Sequence, residues 1–124
     1  MGNSYVSSLF HVVFSTKNHE PWLQPPIRDR LWPYIGGIAS DAGMVALCVG
    51  GCHDHAHILL SIPANVAVSR TVQQVKGASS RWIHETFPKM EAFAWQEGYG
   101  AFSIGISQVE ETRRYIESQA VHRQ

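Results

Sequence analysis

The stretch MVALCVGGCHDHAHILLSIP, residues 44–63, decides the centre of the predicted fold. Residues 44–52 and 55–63 are each rich in apolar and β-branched side chains, which is typical of strands. The glycines and polar residues of the segment GGCHD, residues 50–54, form a tight turn region between them. Two strands joined so closely predict an antiparallel hairpin.

Upstream of this hairpin we predict one strand and one helix. Residues 5–16, YVSSLFHVVFST, are β-branched and aromatic and lack helical periodicity, which predicts a long strand. Apolar residues then recur at helical spacing from Ile27 to Ala42, and Gly43 is a plausible end for that helix. Pro33 lies inside the helical pattern, so we expect a kink or a restart there.

Downstream of the hairpin we predict two more helices around another strand. Residues 69–87 are amphipathic at helical spacing, and Pro88 ends that helix. Residues 99–106 predict a strand, and residues 92–96 allow a further short one. The last helix begins at Ser107, which has the spacing of a capping box with Glu110.

The resulting element order is β-α-β-β-α-β-α. This order predicts an α+β fold of the ferredoxin-like, split βαβ kind, with an antiparallel sheet, helices on one face and an additional C-terminal helix. Because this fold hosts many functions, the function has to be inferred from a site.

The composition bounds the class of protein. The 124 residues are 44% hydrophobic and 16% charged, which is typical of one globular domain over residues 1–124. No apolar run reaches the roughly 18 residues that a membrane span needs. The N-terminus lacks the basic leader and cleavage site of a secretory signal. We therefore expect a cytoplasmic protein without membrane association.

The charge is balanced, with ten basic and ten acidic residues, which argues mildly against a nucleic-acid-binding protein. The distribution of charge weakens that argument, because residues 69–89 contain Arg70, Lys76, Arg81 and Lys89 against a single acidic residue, Glu85. This segment is either a basic binding face or an ordinary solvated helix face.

Histidines alternate along the second strand of the hairpin. Successive side chains of a strand point to opposite faces, so His55 and His57 project to the same side and Ala56 to the other. Their Cα atoms are then roughly 7 Å apart, and two imidazoles at that separation can converge on one metal ion. The alternative is a pair of hydrogen-bonded or surface histidines. His53 falls in the turn.

The last helix carries a second pattern. Val109, Arg113, Ile116 and Ala120 cluster in one direction, which is the expected core side. Tyr115 and Gln119, spaced i to i+4, share a stripe about 100° or more away from that direction. The tyrosine is then displayed to solvent, unless it packs at the edge of the core.

These two features occur together with three other sequence blocks in one known family. The chain resembles the single-tyrosine HUH transposases of the smallest bacterial insertion sequences, the IS200-like and REP-associated tyrosine transposases, in which HUH denotes His-hydrophobic-His. The matching blocks are HVVFSTK (11–17), DHAHILL (54–60), VKGASSR (75–81), FAWQEGYGAFS (93–103) and YIESQ (115–119).

The resemblance implies an enzyme that cleaves and rejoins single-stranded DNA. Carried over by motif, the nucleophile is Tyr115, and the ligands of a divalent metal, Mg²⁺ or Mn²⁺, are His55, His57 and Gln119. The tyrosine attacks a DNA phosphate, which leaves a 5′-phosphotyrosine and a free 3′-hydroxyl. Such an ion neutralises charge on the phosphate and orients it for in-line attack.

The resemblance also implies partners. The substrate is single-stranded DNA, in the hairpin ends of a mobile element, and relatives are typically homodimers. The first strand is the candidate for edge pairing between subunits. The cations expected to contact DNA phosphates are Lys76, Arg81, Arg70 and Lys17.

Other ring side chains have weaker signals. Trp95 and Tyr99 either stack on bases or, as we favour, pack the core. His11 is expected to be a hydrogen-bonded structural histidine, and His19 carries no signal.

Two alternatives stay open from the sequence. One is a non-cleaving, domesticated relative that holds DNA hairpins. The other disregards the resemblance and takes a ferredoxin-like metalloprotein, such as a zinc-dependent hydrolase, or an RNA-binding sheet. Complete retention of His55, His57, Tyr115 and Gln119 favours the enzyme, because a binding protein does not need all four.

Overall fold

The structure is a computed structural model that describes residues 7–122, with the backbone alone for the last two of these. It contains four strands, four helices and three single 3₁₀ turns. The elements in chain order are β1 (Ser7–Ser15), α1 (Pro25–Asp41), β2 (Val45–Gly51), β3 (His55–Pro63), α2 (Val68–Thr86), β4 (Gly100–Ile104), α3 (Val109–Glu117) and α4 (Gln119–His122).

The four strands form one antiparallel sheet in the order β2-β3-β1-β4. This is the predicted α+β, split βαβ arrangement, because β1 and β2 flank β3 and the α1 connection crosses over it. The prediction that β1 is an edge strand is wrong: β1 is hydrogen-bonded to β3 on one side and to β4 on the other. The sheet edges are β2 and β4, since a strand with neighbours on both sides has no free backbone row.

The two faces of the sheet are covered differently. α1 and α2 pack on one face and enclose the main core, to which β3 contributes Ala56, Ile58, Leu60 and Ile62. The alternate residue Leu59 points to the other face and joins a smaller cluster with buried residues of β2 and α3, namely Cys48 and Ile116. α3, which carries the predicted nucleophile, therefore lies on the face opposite to α1 and α2.

Two glycines of β2 allow these close approaches. A Cβ atom on Gly50 would lie 2.9 Å from the Cγ2 atom of Ile116, so glycine makes room for α3. Gly51 has φ +151°, and a Cβ atom there would clash with the carbonyl oxygen of His55. Glycine at this position permits the tight hairpin turn, which the Cys52 N–H closes by donating to the same oxygen at 3.0 Å.

Three local features differ from the sequence prediction. α1 runs through the exposed Pro33 without restarting. Residues 92–96 form no strand, only an isolated bridge between Thr16 and Trp95. The capping interaction near the last helix joins the Gly105 N–H to the Gln108 Oε1 atom at 2.7 Å, rather than Ser107 to Glu110, because a 3₁₀ turn precedes α3.

No helix within residues 7–122 combines the length and the hydropathy needed to cross a membrane.

Candidate functional site

An open cleft of about 460 Å³ lies on the sheet face that α1 and α2 leave uncovered. Its walls come from β1, β3, β4 with the loop before it, and α3. The residues that line it include His11, His55, His57, Tyr99, Phe102 and Tyr115. Three of the predicted site residues, His55, His57 and Tyr115, therefore meet in one cleft.

His55 is held by an adjacent carboxylate. Its Nδ1 atom lies 2.8 Å from the Oδ1 atom of Asp54. Burial alone raises the pKa of Asp54, but hydrogen bonds from His55 and Cys52 and the charges of His55 and His53 outweigh burial, so this pKa lies below its ordinary value. A carboxylate on one ring nitrogen fixes the orientation of the imidazole and leaves the other nitrogen for a ligand.

His57 is buried, at 5% exposure, and is paired with another histidine. Its Nδ1 atom lies 3.0 Å from the Nε2 atom of His11 on β1. Val13 is the direct partner of His57 in the β1–β3 register, so His11 is its diagonal neighbour on the same face. Burial lowers the pKa of His11, which favours a neutral ring that can either donate to or accept from His57.

Tyr115 projects from α3 over this histidine pair. Its ring centroid lies 5.7 Å from that of His57 and 5.9 Å from that of His11, edge-on to both. The side chain is nevertheless 51% exposed. The prediction of a displayed tyrosine is therefore confirmed, and the phenol is accessible from the open side of the cleft.

His19 lies beside His55 at the edge of the site, a position that the sequence analysis did not predict. It lies in the 3₁₀ turn after β1, where both Asn18 and His19 have positive φ. Its ring lies 5.3 Å from that of His55, and one ligand atom each from His19, Asp54 and His55 lies within 4.8 Å of the others. Imidazole nitrogens and a carboxylate oxygen at this spacing could hold a divalent metal ion. Asparagine tolerates positive φ, but no sequence signal shows which way His19 turns.

The comparisons with known proteins bear on this site. The sequence model of the family described as "Transposase IS200 like" matches residues 4–119. The chain belongs to the IS200-like transposase family.

Individual relatives of this IS200-like transposase have low but extended identity. The chain is 27% identical to the ISDra2 transposase TnpA of Deinococcus radiodurans, over 95% of this chain and 89% of that one. It is 26% identical to the transposase for insertion sequence element IS200 of Salmonella typhimurium, over 77% of this chain and 66% of that one.

Two solved structures share the fold. One is a Deinococcus radiodurans crystal structure assigned as a transposase, with a TM-score of 0.76, 22% identity, and coverage of 93% of this chain and 92% of that one. The other is a REP-associated tyrosine transposase bound to a REP hairpin, with a TM-score of 0.71, 15% identity, and coverage of 96% and 70%.

Gln119 of this transposase contacts Tyr115 but is not itself among the residues that line the cleft. The sequence predicted one helix from Ser107 onward, whereas α3 ends at Glu117 and Gln119 begins α4 after Ser118. Gln119 is buried, at 4% exposure, and its Nε2 atom donates to the Tyr115 carbonyl oxygen at 3.2 Å. Its role as a metal ligand stays a prediction.

The four predicted DNA-binding cations are in different environments. The Nζ atom of Lys76 donates to the backbone oxygens of Gln96 and Gly98, at 2.6 and 2.9 Å, in the loop that lines the cleft. Burial lowers the pKa of Lys76. Lys17 is exposed beyond the end of β1 that pairs with His55.

The other two cations lie on α2 as Lys76 does, and α2 packs on the face of the sheet opposite to the cleft. Arg70 and Arg81 are exposed. Arg70 lies near the start of α2, which follows the Pro63 end of β3. That end is about 26 Å from His55, because a strand rises about 3.3 Å per residue. Arg70 is therefore far from the cleft. DNA contact by any of the four stays a prediction.

The two aromatic residues before β4 have different roles. Trp95 packs edge-on against Phe14 and Phe93, and its Nε1 atom donates to the Ser79 hydroxyl at 3.0 Å. It is a core residue, as favoured from the sequence. Tyr99 is instead 42% exposed and lines the cleft.

Proposed function

We propose that this chain is a metal-dependent transposase that cleaves and rejoins single-stranded DNA through a 5′-phosphotyrosine intermediate on Tyr115. The observation that carries the proposal is the position of Tyr115, an exposed phenol edge-on to the paired imidazoles of His57 and His11 in an open cleft. Family membership supports a DNA-processing enzyme, and this geometry supports Tyr115 as its nucleophile.

The reaction on Tyr115 needs few groups. The phenolic oxygen attacks the phosphorus atom and loses its proton, the bond from phosphorus to the 3′-oxygen breaks, and that oxygen takes up a proton. The phosphotyrosine conserves the energy of the phosphodiester bond. A later attack by a 3′-hydroxyl reverses the step and restores the phenol. A phenol with a pKa near 10 is a weak nucleophile at neutral pH and needs activation.

The donor set fits a divalent ion, Mg²⁺ or Mn²⁺. Asp54 contacts Nδ1 of His55 and His11 contacts Nδ1 of His57, and these contacts orient the two imidazoles as nitrogen donors. Gln119, whose amide nitrogen is bound to the backbone, offers its Oε1 atom as the third ligand. When bound, such an ion neutralises phosphate charge and orients the phosphate for in-line attack.

Two nitrogen ligands and one oxygen suit Mn²⁺ better than Mg²⁺. The phosphate supplies the remaining oxygen ligands.

The substrate is single-stranded DNA at the hairpin ends of a mobile element. Exposed aromatic rings of Tyr99 and Phe102 line the same cleft as Tyr115 and offer surfaces on which unpaired bases stack. The similar structure described as a REP-associated tyrosine transposase bound to a REP hairpin supports this choice. Exposed Lys17 near the cleft is the best placed of the four predicted cations to contact a phosphate.

We further propose that the protein is a cytoplasmic homodimer. The edge strand β4 carries an exposed Phe102, and Ile106 just beyond it is 85% exposed. An edge strand with apolar side chains is the kind of surface that a second sheet covers.

Covalent trapping tests the proposed function. The protein is incubated with single-stranded oligonucleotides copied from both flanks of its gene, with Mn²⁺, Mg²⁺ or a chelator, and run on a denaturing gel. The variant is Tyr115→Phe, and the matched control is Tyr34→Phe, an exposed tyrosine on α1 that stacks on Trp82 at 4.6 Å on the other side of the sheet. DNA binding is measured in parallel by fluorescence anisotropy.

We expect an adduct with the wild type and with Tyr34→Phe, but none with Tyr115→Phe or with chelator. No adduct in any sample with DNA binding retained would instead indicate the non-cleaving, hairpin-holding relative. If the protein formed no adduct and bound no DNA, the proposed function would be wrong, and the histidines would be interpreted as an ordinary metal site.

A further inference from the structure

A second group of metal-ligating side chains lies at the rim of the cleft, outside the residues assigned to DNA cleavage. It comprises Cys52, His53 and Asp54 of the β2–β3 turn, and His19 of the turn after β1. One ligand atom each from Cys52, His53 and Asp54 lies within 4.8 Å of the others. Asp54 is the common member, because it also contacts His19.

The individual distances resemble those between the ligands of one tetrahedral ion. The Oδ2 atom of Asp54 lies 3.6 Å from His19 Nδ1 and 3.8 Å from His53 Nε2, and the Cys52 thiol donates to Oδ1 at 3.2 Å. With zinc bonds of about 2.0 Å to nitrogen or oxygen and 2.3 Å to sulfur, tetrahedral ligand atoms are about 3.3–3.6 Å apart. The three separations that involve Asp54 are within about half an ångström of such distances. The exposed His19 ring, which contacts Asp54 but does not group with Cys52 and His53, has to turn further toward these two residues to complete the set.

The backbone holds these donors in place. The carbonyl oxygens of His53 and Asp54 accept hydrogen bonds from the N–H groups of Leu23 and Thr16, both at 2.9 Å. The Thr16 hydroxyl donates to the carbonyl oxygen of Glu20 at 2.7 Å across the turn that carries His19. Both turns are thus tied together before any ion arrives, which lowers the ordering cost of binding.

The turn that contains His19 has an uncommon backbone conformation. His19 has φ +57°, in the left-handed region that glycine, asparagine, aspartate and histidine adopt more often than other residues. This conformation accompanies the placement of the imidazole beside Asp54, while the side chain stays 64% exposed at the rim. Cys52, by contrast, is completely buried. A buried thiol and an exposed imidazole on one carboxylate provide both a closed inner side and an entry path for an ion.

We propose that Cys52, His53, Asp54 and His19 form a second metal site, for Zn²⁺ or a similar borderline-soft ion. The thiol decides the class of metal, because thiolate and imidazole donors select zinc over magnesium and manganese. In the bound state Oδ2 of Asp54 faces this ion while Oδ1 keeps its hydrogen bond to His55. The ion therefore shares a carboxylate with the cleft without using His57, Tyr115 or Gln119.

Cobalt substitution tests this site independently of DNA cleavage. The full chain is stripped with chelator and titrated with Co²⁺, and the thiolate-to-cobalt charge-transfer band in the near ultraviolet is recorded. Zn²⁺ affinity follows from displacement of the cobalt. The variant is Cys52→Ser, and the matched control is Cys48→Ser, which alters the other buried cysteine, on β2. Circular dichroism checks folding of each variant.

We expect a single band that saturates at one equivalent and is lost in Cys52→Ser. Zn²⁺ affinity should fall by more than about 100-fold, since loss of a direct ligand exceeds the effect of a supporting residue. The band should persist in Cys48→Ser, His57→Ala and Tyr115→Phe. His53→Gln, a change at a half-buried turn residue, should weaken Zn²⁺ binding even if Cys52→Ser does not fold.

A wild-type protein without the band, or a band of equal strength in Cys52→Ser, would overturn the proposal. The four residues would then be an ion-pair cluster around Asp54 alone. None of these readouts requires DNA. A protein that forms no DNA adduct but retains the cobalt charge-transfer band would therefore contradict the proposed function and still support the second metal site.

Discussion

Replacing Ile116 with alanine should release α3 from the sheet without unfolding the main core. Ile116 is completely buried. Among the side chains that the structure describes, two other buried residues, Cys48 and Leu59, belong to the cluster that holds α3, and a few partly buried ones pack against it. The remaining contacts of α3 are peripheral, such as the hydrogen bond from Arg113 Nη1 to the Leu47 carbonyl oxygen at 2.8 Å. The docking of α3 therefore depends strongly on one side chain.

The size of the effect follows from the atoms removed. Truncation of a buried isoleucine to alanine costs about 2–5 kcal/mol, and we expect the lower part of that range, about 2–3 kcal/mol, because a small cluster at the sheet surface can collapse. The substitution should lower the free energy of local opening of α3 rather than the free energy of global unfolding. Since 1.4 kcal/mol is tenfold, amide exchange in α3 should accelerate about 30- to 150-fold.

Native-state hydrogen exchange measures this opening. Amides of α3 should exchange faster in Ile116→Ala, while amides of β3 keep their wild-type protection. Ile116→Val is the graded control and should cost only about 0.5–1.5 kcal/mol. The yield of covalent DNA adduct should decline in the same order, because Tyr115 is adjacent in α3.

Two results would refute this reasoning. Equal loss of protection in α3 and β3 would mean that α3 unfolds only with the whole domain. Unchanged exchange in α3 would mean that the small cluster does not hold the helix.

Three further substitutions test the contacts around the cleft. His11→Ala removes the ring that pairs with His57, so isothermal titration should show Mn²⁺ binding weakened about 10- to 100-fold, with partial recovery in His11→Asn. Equal Mn²⁺ affinity in the wild type and both variants would contradict the role of His11 in positioning His57. Lys76→Met removes two charged hydrogen bonds to the loop before β4 and should lower the free energy of unfolding in urea by about 1.5–3 kcal/mol. The control Arg81→Met should change this free energy by less than about 0.5 kcal/mol, and equal effects of the two substitutions would contradict the Lys76 contacts. Gly51→Ala should lower the free energy of unfolding by more than about 3 kcal/mol in the same assay, because the added Cβ atom would clash with the His55 carbonyl oxygen. The control Gly77→Ala, in open space on α2, should leave this free energy unchanged or raise it by up to about 1 kcal/mol. A small effect of Gly51→Ala would show that the hairpin turn can rearrange.

Much of the fold and part of the site could be predicted because they depend on local periodicity. Alternation along one strand was enough to put His55 and His57 on the same side, and the 3.6-residue period of α3 was enough to bury Ile116 and display Tyr115. These relations lie within single elements, where backbone geometry alone sets the direction of each side chain.

Failures of prediction occurred where one element meets another. The position of β1 inside the sheet depends on which strands pair, and β1 acquired its second neighbour from β4 at the far end of the chain. The break at Ser118, which separates Gln119 from the helix of Tyr115, follows no periodic signal. Lys76 looked like any other cation of an exposed helix face until the loop of Gln96 approached it.

The sequence by itself therefore determined the element order, the α+β fold class and the candidate pair His55 and His57. Only the tertiary structure decided that His11 supports His57, that Tyr115 stands over both, and that His19 turns toward Asp54. The physical reason is that such contacts join residues far apart in the chain. Strand register and helix docking bring them together, and these are set by the packing of the whole domain rather than by any local stretch.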